Sequence, residues 1–201
     1  MKRVLLLSLL FGSLAALNAA SITYHVTVDS SGIPAATAGF VEFQFNQANA
    51  LTSLSATASI TNFSSIGFTF DNVATNFQGG VTGSLAAPPL VFDNTGGGAN
   101  VFDQGVAVFG SGFVFDVTFS GAALTSPSTD GSEFFVLLLD TSYNPLVNPQ
   151  LGGEAATILL NGDTTITPNP TSISTIAFIP EPSTWLTGLA GLLLLGCRCR
   201  R

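Results

Sequence analysis

A glycine-rich stretch in the middle of the chain, VFDNTGGGANVFDQ, holds the side chains best suited to binding a metal ion. It places Asp93, Asn94, Asn100 and Asp103 around a run of glycines, and the triplet Val-Phe-Asp recurs ten residues apart. Calcium prefers oxygen ligands of this kind, although the alternating acids and closing glutamate of an EF-hand are missing. We favour the competing interpretation, a hairpin with Asx turns, and no other cofactor is indicated.

The side chains give little support for catalysis. His25 is the only histidine, and as a general base it would need a positioned serine and a carboxylate. Eleven acids lie between residues 21 and 179, so a carboxylate pair of the glycoside-hydrolase type is formally available. Most of these acids fall beside turns or on polar strand faces, where a solvated charge is the ordinary interpretation. We therefore predict no enzymatic activity, with a carboxylate-pair hydrolase as one alternative.

A calcium-dependent glycan-binding module is the other alternative. Open sugar platforms generally stack on Trp or Tyr, whose rings combine an apolar face with a polar group. Residues 21–179 contain no tryptophan and only two tyrosines, Tyr24 and Tyr143. Tyr24 shares the apolar face of its predicted strand, so the core is the expected place for it. The composition thus weakens this alternative without removing it.

The elements that would position these residues are predicted to be β-strands. Apolar residues alternate with polar ones in SITYHVTVD, VEFQFN, LSATASITN and FVFDVTFS, the period of a half-buried strand. SEFFVLLLD is apolar on both faces and predicts a central strand, and ATILLNGDTTIT predicts a hairpin turning at Asn161-Gly162. About ten such strands predict an all-β antiparallel sandwich or jelly roll over residues 21–179. TPNPTSIS looks like the start of a linker, although residues 173–178 could form a last strand.

Charge is distributed very unevenly along the chain. The only basic residues are Lys2, Arg3, Arg198, Arg200 and Arg201, so no lysine or arginine lies in residues 21–179. Nucleic-acid binding needs basic patches and is therefore excluded. The only two cysteines, Cys197 and Cys199, stand among the terminal arginines, so the body has neither a disulfide nor a thiol nucleophile.

Both ends of the chain have the composition of membrane-targeting segments. Residues 1–20 begin with Lys2 and Arg3, continue as an apolar run and end in small residues, which predicts a signal peptide cut after Ala19 or Ala20. An uncleaved N-terminal helix is the alternative. Residues 183–197 carry no charge, and as a helix they would span ~22 Å, short of the ~30 Å bilayer core.

The positive-inside rule then places the terminal arginines in the cytoplasm and the body outside. Trp185 can lie at one membrane interface while Arg198, Arg200 and Arg201 reach the other. We therefore predict one short C-terminal transmembrane helix. A buried core helix is the alternative, but it would not explain the basic end.

The last residues closely resemble a known sorting signal. Pro180, Glu181, Pro182, Ser183, Thr184 and Trp185, followed by an apolar run and terminal arginines, resemble the PEP-CTERM signal of Gram-negative bacteria. The resemblance covers residues 180–201 and implies that a membrane-embedded exosortase recognises the motif and cleaves nearby. The body from SITYHVTVDSSG to LLNGDTTIT is similar to a group of uncharacterised PEP-CTERM proteins, which implies a fold rather than an activity.

From these features we expect an exported surface or matrix protein without catalytic activity. Its expected partners are an exosortase, the inner membrane before processing, and extracellular polysaccharide. After processing, the body would lie at the cell surface or outside the cell.

Overall fold

The computed structural model describes residues 21–180, and the regular structure in that range is almost entirely β. Two single-turn 3-10 helices occur, at Ala122–Leu124 and Pro149–Leu151. Within the described range, no helix is long and apolar enough to cross a membrane. The strands are β1 (Ser21–Asp29), β2 (Gly39–Gln47), β3 (Ala56–Ile66), β4 (Thr69–Gln78), β5 (Val81–Thr82), β6 (Leu90–Asp93), β7 (Val101–Val108), β8 (Gly112–Gly121), β9 (Ser132–Asp140), β10 (Glu154–Leu160), β11 (Ile166–Pro170) and β12 (Ser174–Ile179).

The strands form two six-stranded sheets that pack face to face. Sheet A has the order β12-β1-β8-β3-β6-β5, and sheet B has the order β11-β10-β9-β2-β7-β4. Every pairing between these strands is antiparallel. The predicted all-β class and the packing of two antiparallel sheets are confirmed. β9 lies inside sheet B, as its apolar residues on both faces predicted.

Phenylalanine fills the space between the sheets. The alternation in β8 points Phe113, Phe115 and Phe119 inward, where each is at most 2% exposed. Phe43 of sheet B meets Phe115 of sheet A edge to face, with 5.3 Å between the ring centroids. Edge-to-face contacts are favourable because the positive ring edge meets the negative ring face. Tyr24 is also in the core, 8% exposed, as predicted.

The predicted linker at TPNPTSIS is wrong. Residues 166–170 form β11 at one edge of sheet B, and residues 174–179 form β12 at one edge of sheet A. The two prolines of β11, Pro168 and Pro170, suggested irregular chain. Proline lacks an N–H group but is tolerated on an edge strand, where only one side of the backbone needs hydrogen-bond partners.

Two predicted turns also differ from the structure. β10 and β11 do form the predicted hairpin, but its loop runs over residues 161–165 and closes with a hydrogen bond from Asn161 N to Thr165 O. The glycine-rich stretch is not a hairpin, because β6 belongs to sheet A and β7 to sheet B. Residues 94–100 instead cross from one sheet to the other.

Candidate functional site

The predicted sorting motif lies almost entirely outside the described residues. Pro180 is exposed and directly follows β12, whereas Glu181, Pro182, Ser183, Thr184 and Trp185 fall beyond the described range. The same holds for Arg198, Arg200 and Arg201, and for the signal peptide at residues 1–20.

The predicted calcium ligands have other partners. Asn94 is fully buried: its Oδ1 accepts the Ala56 N–H at 2.7 Å, and its Nδ2 donates to Ser132 Oγ at 2.9 Å. Because Ala56 begins β3 and Ser132 begins β9, Asn94 joins the two sheets. The carboxylate of Asp93 accepts the Thr95 N–H at 2.9 Å, which is an Asx turn of the kind predicted.

The side chains of Asn100 and Asp103 also form hydrogen bonds with other parts of the protein. The Oδ1 of Asn100 accepts the Gly80 N–H at 2.6 Å, and its Nδ2 donates to Phe45 O at 3.0 Å. Asp103 lies on the outer face of sheet B, beside a different acid. Within residues 21–180, no three His, Cys, Asp or Glu side chains are grouped closely enough to hold a metal ion. The four predicted ligands therefore act in the crossover and in the sheet rather than around one centre.

The acid beside Asp103 is Glu42, and together they form the most unusual polar site of the described body. Glu42 and Asp103 are register partners on β2 and β7, so their side chains leave the same face of sheet B. Glu42 is 6% exposed and Asp103 is 4% exposed. Like charges directly opposite each other destabilise a sheet, and burial makes the repulsion stronger. An ionised pair is therefore strongly disfavoured here.

A chain of polar side chains runs along the outer face of β2 into this pair. The backbone N–H of Asn100 donates to Asn46 Oδ1 at 2.8 Å, and Asn46 Nδ2 donates to Gln44 Oε1 at 2.8 Å. Gln44 Nε2 in turn donates to Glu42 Oε1. Each amide thus uses its N–H group toward the next residue, and such chains strengthen their members by polarising one another.

Tyr143 covers the pair from outside the sheet. Its hydroxyl donates to Asp103 Oδ2 at 3.1 Å, and its ring stacks on Phe40 with centroids 4.8 Å apart and 12° between the planes. Its backbone is left-handed (φ 62°), an uncommon conformation for a non-glycine residue. Asp140 holds the turn, because its Oδ1 accepts the N–H groups of Ser142 at 2.7 Å and Asn144 at 2.9 Å.

The pKa values of these groups follow from their surroundings. Burial, as the largest cause, together with the neighbouring Asp103, raises the pKa of Glu42 to about 7. Burial and the Asp103 carboxylate also raise the pKa of Tyr143, so its hydroxyl keeps the proton that it donates. Hydrogen bonds from Asn144 lower the pKa of Asp140, which keeps that carboxylate ionised. Glu42 is therefore a neutral acid under mildly acidic conditions.

His25 on β1 pairs with the carboxylate of Asp116 on the neighbouring strand β8. Its Nδ1 lies 2.7 Å from Asp116 Oδ1, and Asn62 Nδ2 donates to the other oxygen of Asp116 at 2.7 Å. In a Ser-His-Asp arrangement a hydroxyl would contact the second ring nitrogen of His25, and no hydroxyl of residues 22–180 does so. The group thus acts as a polar link between strands, on the outer face of sheet A.

The sequence placed Glu42 on the polar face of a strand and Asp103 among the candidate calcium ligands, and it could not pair the two. The pairing depends on the β2–β7 register, which joins residues 61 positions apart.

No protein-family model, curated protein or solved structure matches this chain.

Proposed function

We propose that this chain is an exported surface or matrix protein, without catalytic activity, that is sorted by an exosortase through residues 180–201. The observation that carries the proposal is the order of three features: Pro180-Glu181-Pro182, an uncharged apolar run, and the arginine end. A bare Pro-Glu-Pro would be far less specific. The sorted body would then serve at the surface or within extracellular polysaccharide.

The fold of the body is compatible with export followed by cleavage near the motif. β12 is the edge strand of sheet A, and it ends at Ile179, immediately before the exposed Pro180. The chain therefore reaches the motif from the rim of the sandwich rather than from its core. Proline cannot continue a helix and pushes the residue before it toward an extended backbone, which suits a protease substrate.

The electrostatics of the body also favour a role outside the cell. Between residues 21 and 179 the chain has eleven acids and no lysine or arginine, so it repels anionic lipid surfaces and nucleic acid. Within the described range, the only close contact between a basic and an acidic side chain is that of His25 with Asp116. Stability comes from apolar burial and strand pairing, neither of which requires the conditions of the cytoplasm.

Altering the motif should block processing but not export. We expect Glu181→Gln, or alanine at both Pro180 and Pro182, to trap the full-length chain in the inner membrane of cells that contain an exosortase. The reason is that export depends on residues 1–20, whereas recognition would depend on the motif. The measurement is immunoblotting of membrane and released fractions with an antibody against the body.

Glu133→Gln provides a matched control, because it makes the same change of charge within β9. This variant should be processed like the wild type. Normal processing of both motif variants would contradict the proposal. Replacing the three arginines should instead weaken the anchor, so that some uncleaved chain passes through the membrane.

A further inference from the structure

Within residues 21–180, neither Glu42 nor Asp103 forms a salt bridge with a basic side chain. The strands and loop around the pair add three further acids, Asp71 on β4, Glu133 near the start of β9 and Asp140 at its end, and the phenol of Tyr143. None of these elements carries lysine, arginine or histidine. Two buried carboxylates in an acidic neighbourhood must therefore be neutralised by something other than a basic side chain.

One oxygen of the pair also lacks a hydrogen-bond partner among the described residues. Asp103 Oδ2 accepts from Tyr143, but Asp103 Oδ1 is buried and receives no hydrogen bond from residues 21–180. Glu42 Oε1 already accepts from Gln44. A proton on Glu42 would give Asp103 Oδ1 the donor that it lacks, and it would remove one of the two charges. A single proton thus supplies the missing hydrogen-bond donor and also removes the repulsion between two carboxylates.

The cover over the pair is a turn that depends on a few contacts. Tyr143 contributes one hydrogen bond and one ring stack, and its left-handed backbone is less favourable than an extended or helical one. Beyond this turn the chain is anchored, because the Leu146 N–H bonds to Leu138 O at 2.9 Å and both Leu146 and Val147 pack against the core. Local openings are easiest where buried contacts are few.

We propose that Glu42 carries a proton that it donates to Asp103 in the closed protein, and that loss of this proton releases Tyr143 and the turn at residues 141–144 from sheet B. When the proton leaves to water, two adjacent carboxylates remain, and water must reach them to offset the repulsion. The Tyr143 hydroxyl bonds to Asp103 Oδ2, so it must move before water can take its place on that oxygen. Opening of this turn therefore accompanies ionisation, and the body has a pH-sensitive surface.

The ionised Asp140 determines how far the pH can fall before the closed turn is weakened. Its carboxylate accepts the N–H groups that shape the turn, so protonating it weakens the closed form. The closed turn thus requires Asp140 ionised and Glu42 protonated. These two conditions hold together in mildly acidic solution and fail, for different reasons, in strong acid and above neutrality.

Tyrosine NMR of the full-length protein tests the proposal, because the chain has only Tyr24 and Tyr143. With ¹³C-labelled tyrosine in detergent, we expect the Tyr143 signal to shift or broaden as the pH rises, with a midpoint near 7. Tyr24 packs between sheet A side chains and serves as the internal reference. Tyr143→Phe assigns the two signals.

Three variants separate this mechanism from a general effect of pH. In Glu42→Gln the Tyr143 signal should stay constant, and in Asp103→Asn its midpoint should move to lower pH because the like charge is gone. Glu133→Gln should keep the wild-type midpoint. A Tyr143 signal that is constant in the wild type, or that titrates unchanged in Glu42→Gln, overturns the proposal. A midpoint that depends on added calcium chloride also overturns it, since a metal ion would then replace the proton.

Discussion

Replacing Phe134 with alanine is expected to lower the free energy of unfolding by about 4 kcal/mol, which is typical for removing a buried aromatic ring. Phe134 lies on the central strand β9, is 1% exposed, and contacts aromatic rings from both sheets. Its neighbours, with centroid distances between 5.8 and 6.4 Å, are Phe43, Phe92, Phe115 and Phe119. The cavity would open where the sheets meet. Denaturant unfolding followed by circular dichroism measures the loss.

Phe77→Ala is the matched control for this substitution. Phe77 is on the edge strand β4 and is 65% exposed, so its removal should change stability by less than about 1 kcal/mol. Equal losses in the two variants would show that the aromatic cluster does not hold the sheets together. The cluster matters especially here because a body without lysine or arginine cannot form salt bridges with them.

Glu42 is expected to make the protein less stable as the pH rises. Below its ordinary pKa of 4.5, Glu42 is protonated in both the folded and the unfolded state. Between 4.5 and about 7 the unfolded chain loses the proton while the folded protein keeps it, and each pH unit removes about 1.4 kcal/mol of stability. The loss approaches about 3 kcal/mol. Urea unfolding at a series of pH values measures it.

Glu42→Gln should abolish this dependence, because glutamine stays neutral and can still donate to Asp103. The variant should match the wild type near pH 4.5 and exceed its stability by up to about 3 kcal/mol near pH 8. Glu133→Gln should follow the wild-type curve. Parallel curves for the wild type and Glu42→Gln would show that the pair does not share a proton.

Asp140 changes the stability with pH in the direction opposite to Glu42. The pKa of Asp140 is lowered by hydrogen bonds from Asn144, so the stability that Asp140 contributes is present above its ordinary value of 3.8 and is lost as the pH falls. Asp140 lowers the stability as the pH falls below 3.8, and Glu42 lowers it as the pH rises above 4.5. The protein should therefore be most stable in mildly acidic solution.

The sequence predicted the parts of the fold that depend on local pattern. Alternation in FVFDVTFS identified an inward face of Phe113, Phe115 and Phe119, and SEFFVLLLD identified a central strand. The period of two reflects the geometry of a single strand, so it is visible without knowledge of the partners. Features that depend on which strands pair were missed, because pairing involves residues distant along the chain.

The crossover at residues 94–100 illustrates this limit. A glycine-rich segment between two short strands has the composition of a hairpin, yet each strand joins a different sheet. The buried Asn94 and Asn100 stabilise the crossing by satisfying backbone groups on both sides of the core. As a sequence pattern, the same oxygen-rich side chains resembled metal ligands. Only the three-dimensional pairing distinguishes the two roles.

The candidate site was missed for the same reason. Glu42 had the pattern of a solvated acid, Asp103 was a candidate calcium ligand, and the turn containing Tyr143 showed no periodic signal. Their contact requires both the β2–β7 register and the placement of Tyr143 on Phe40. A buried acid pair could have been suspected only because the body offers its eleven acids no lysine or arginine.

Mass spectrometry of the mature protein from cells that contain an exosortase tests the central claim most directly. The measured mass defines both ends of the processed chain. The proposed sorting function predicts a mature body that has lost residues 1–20 and the segment from Trp185 to Arg201. A mature protein that retains Trp185 to Arg201 in such cells would contradict it, and the C-terminal segment would then be a permanent membrane anchor.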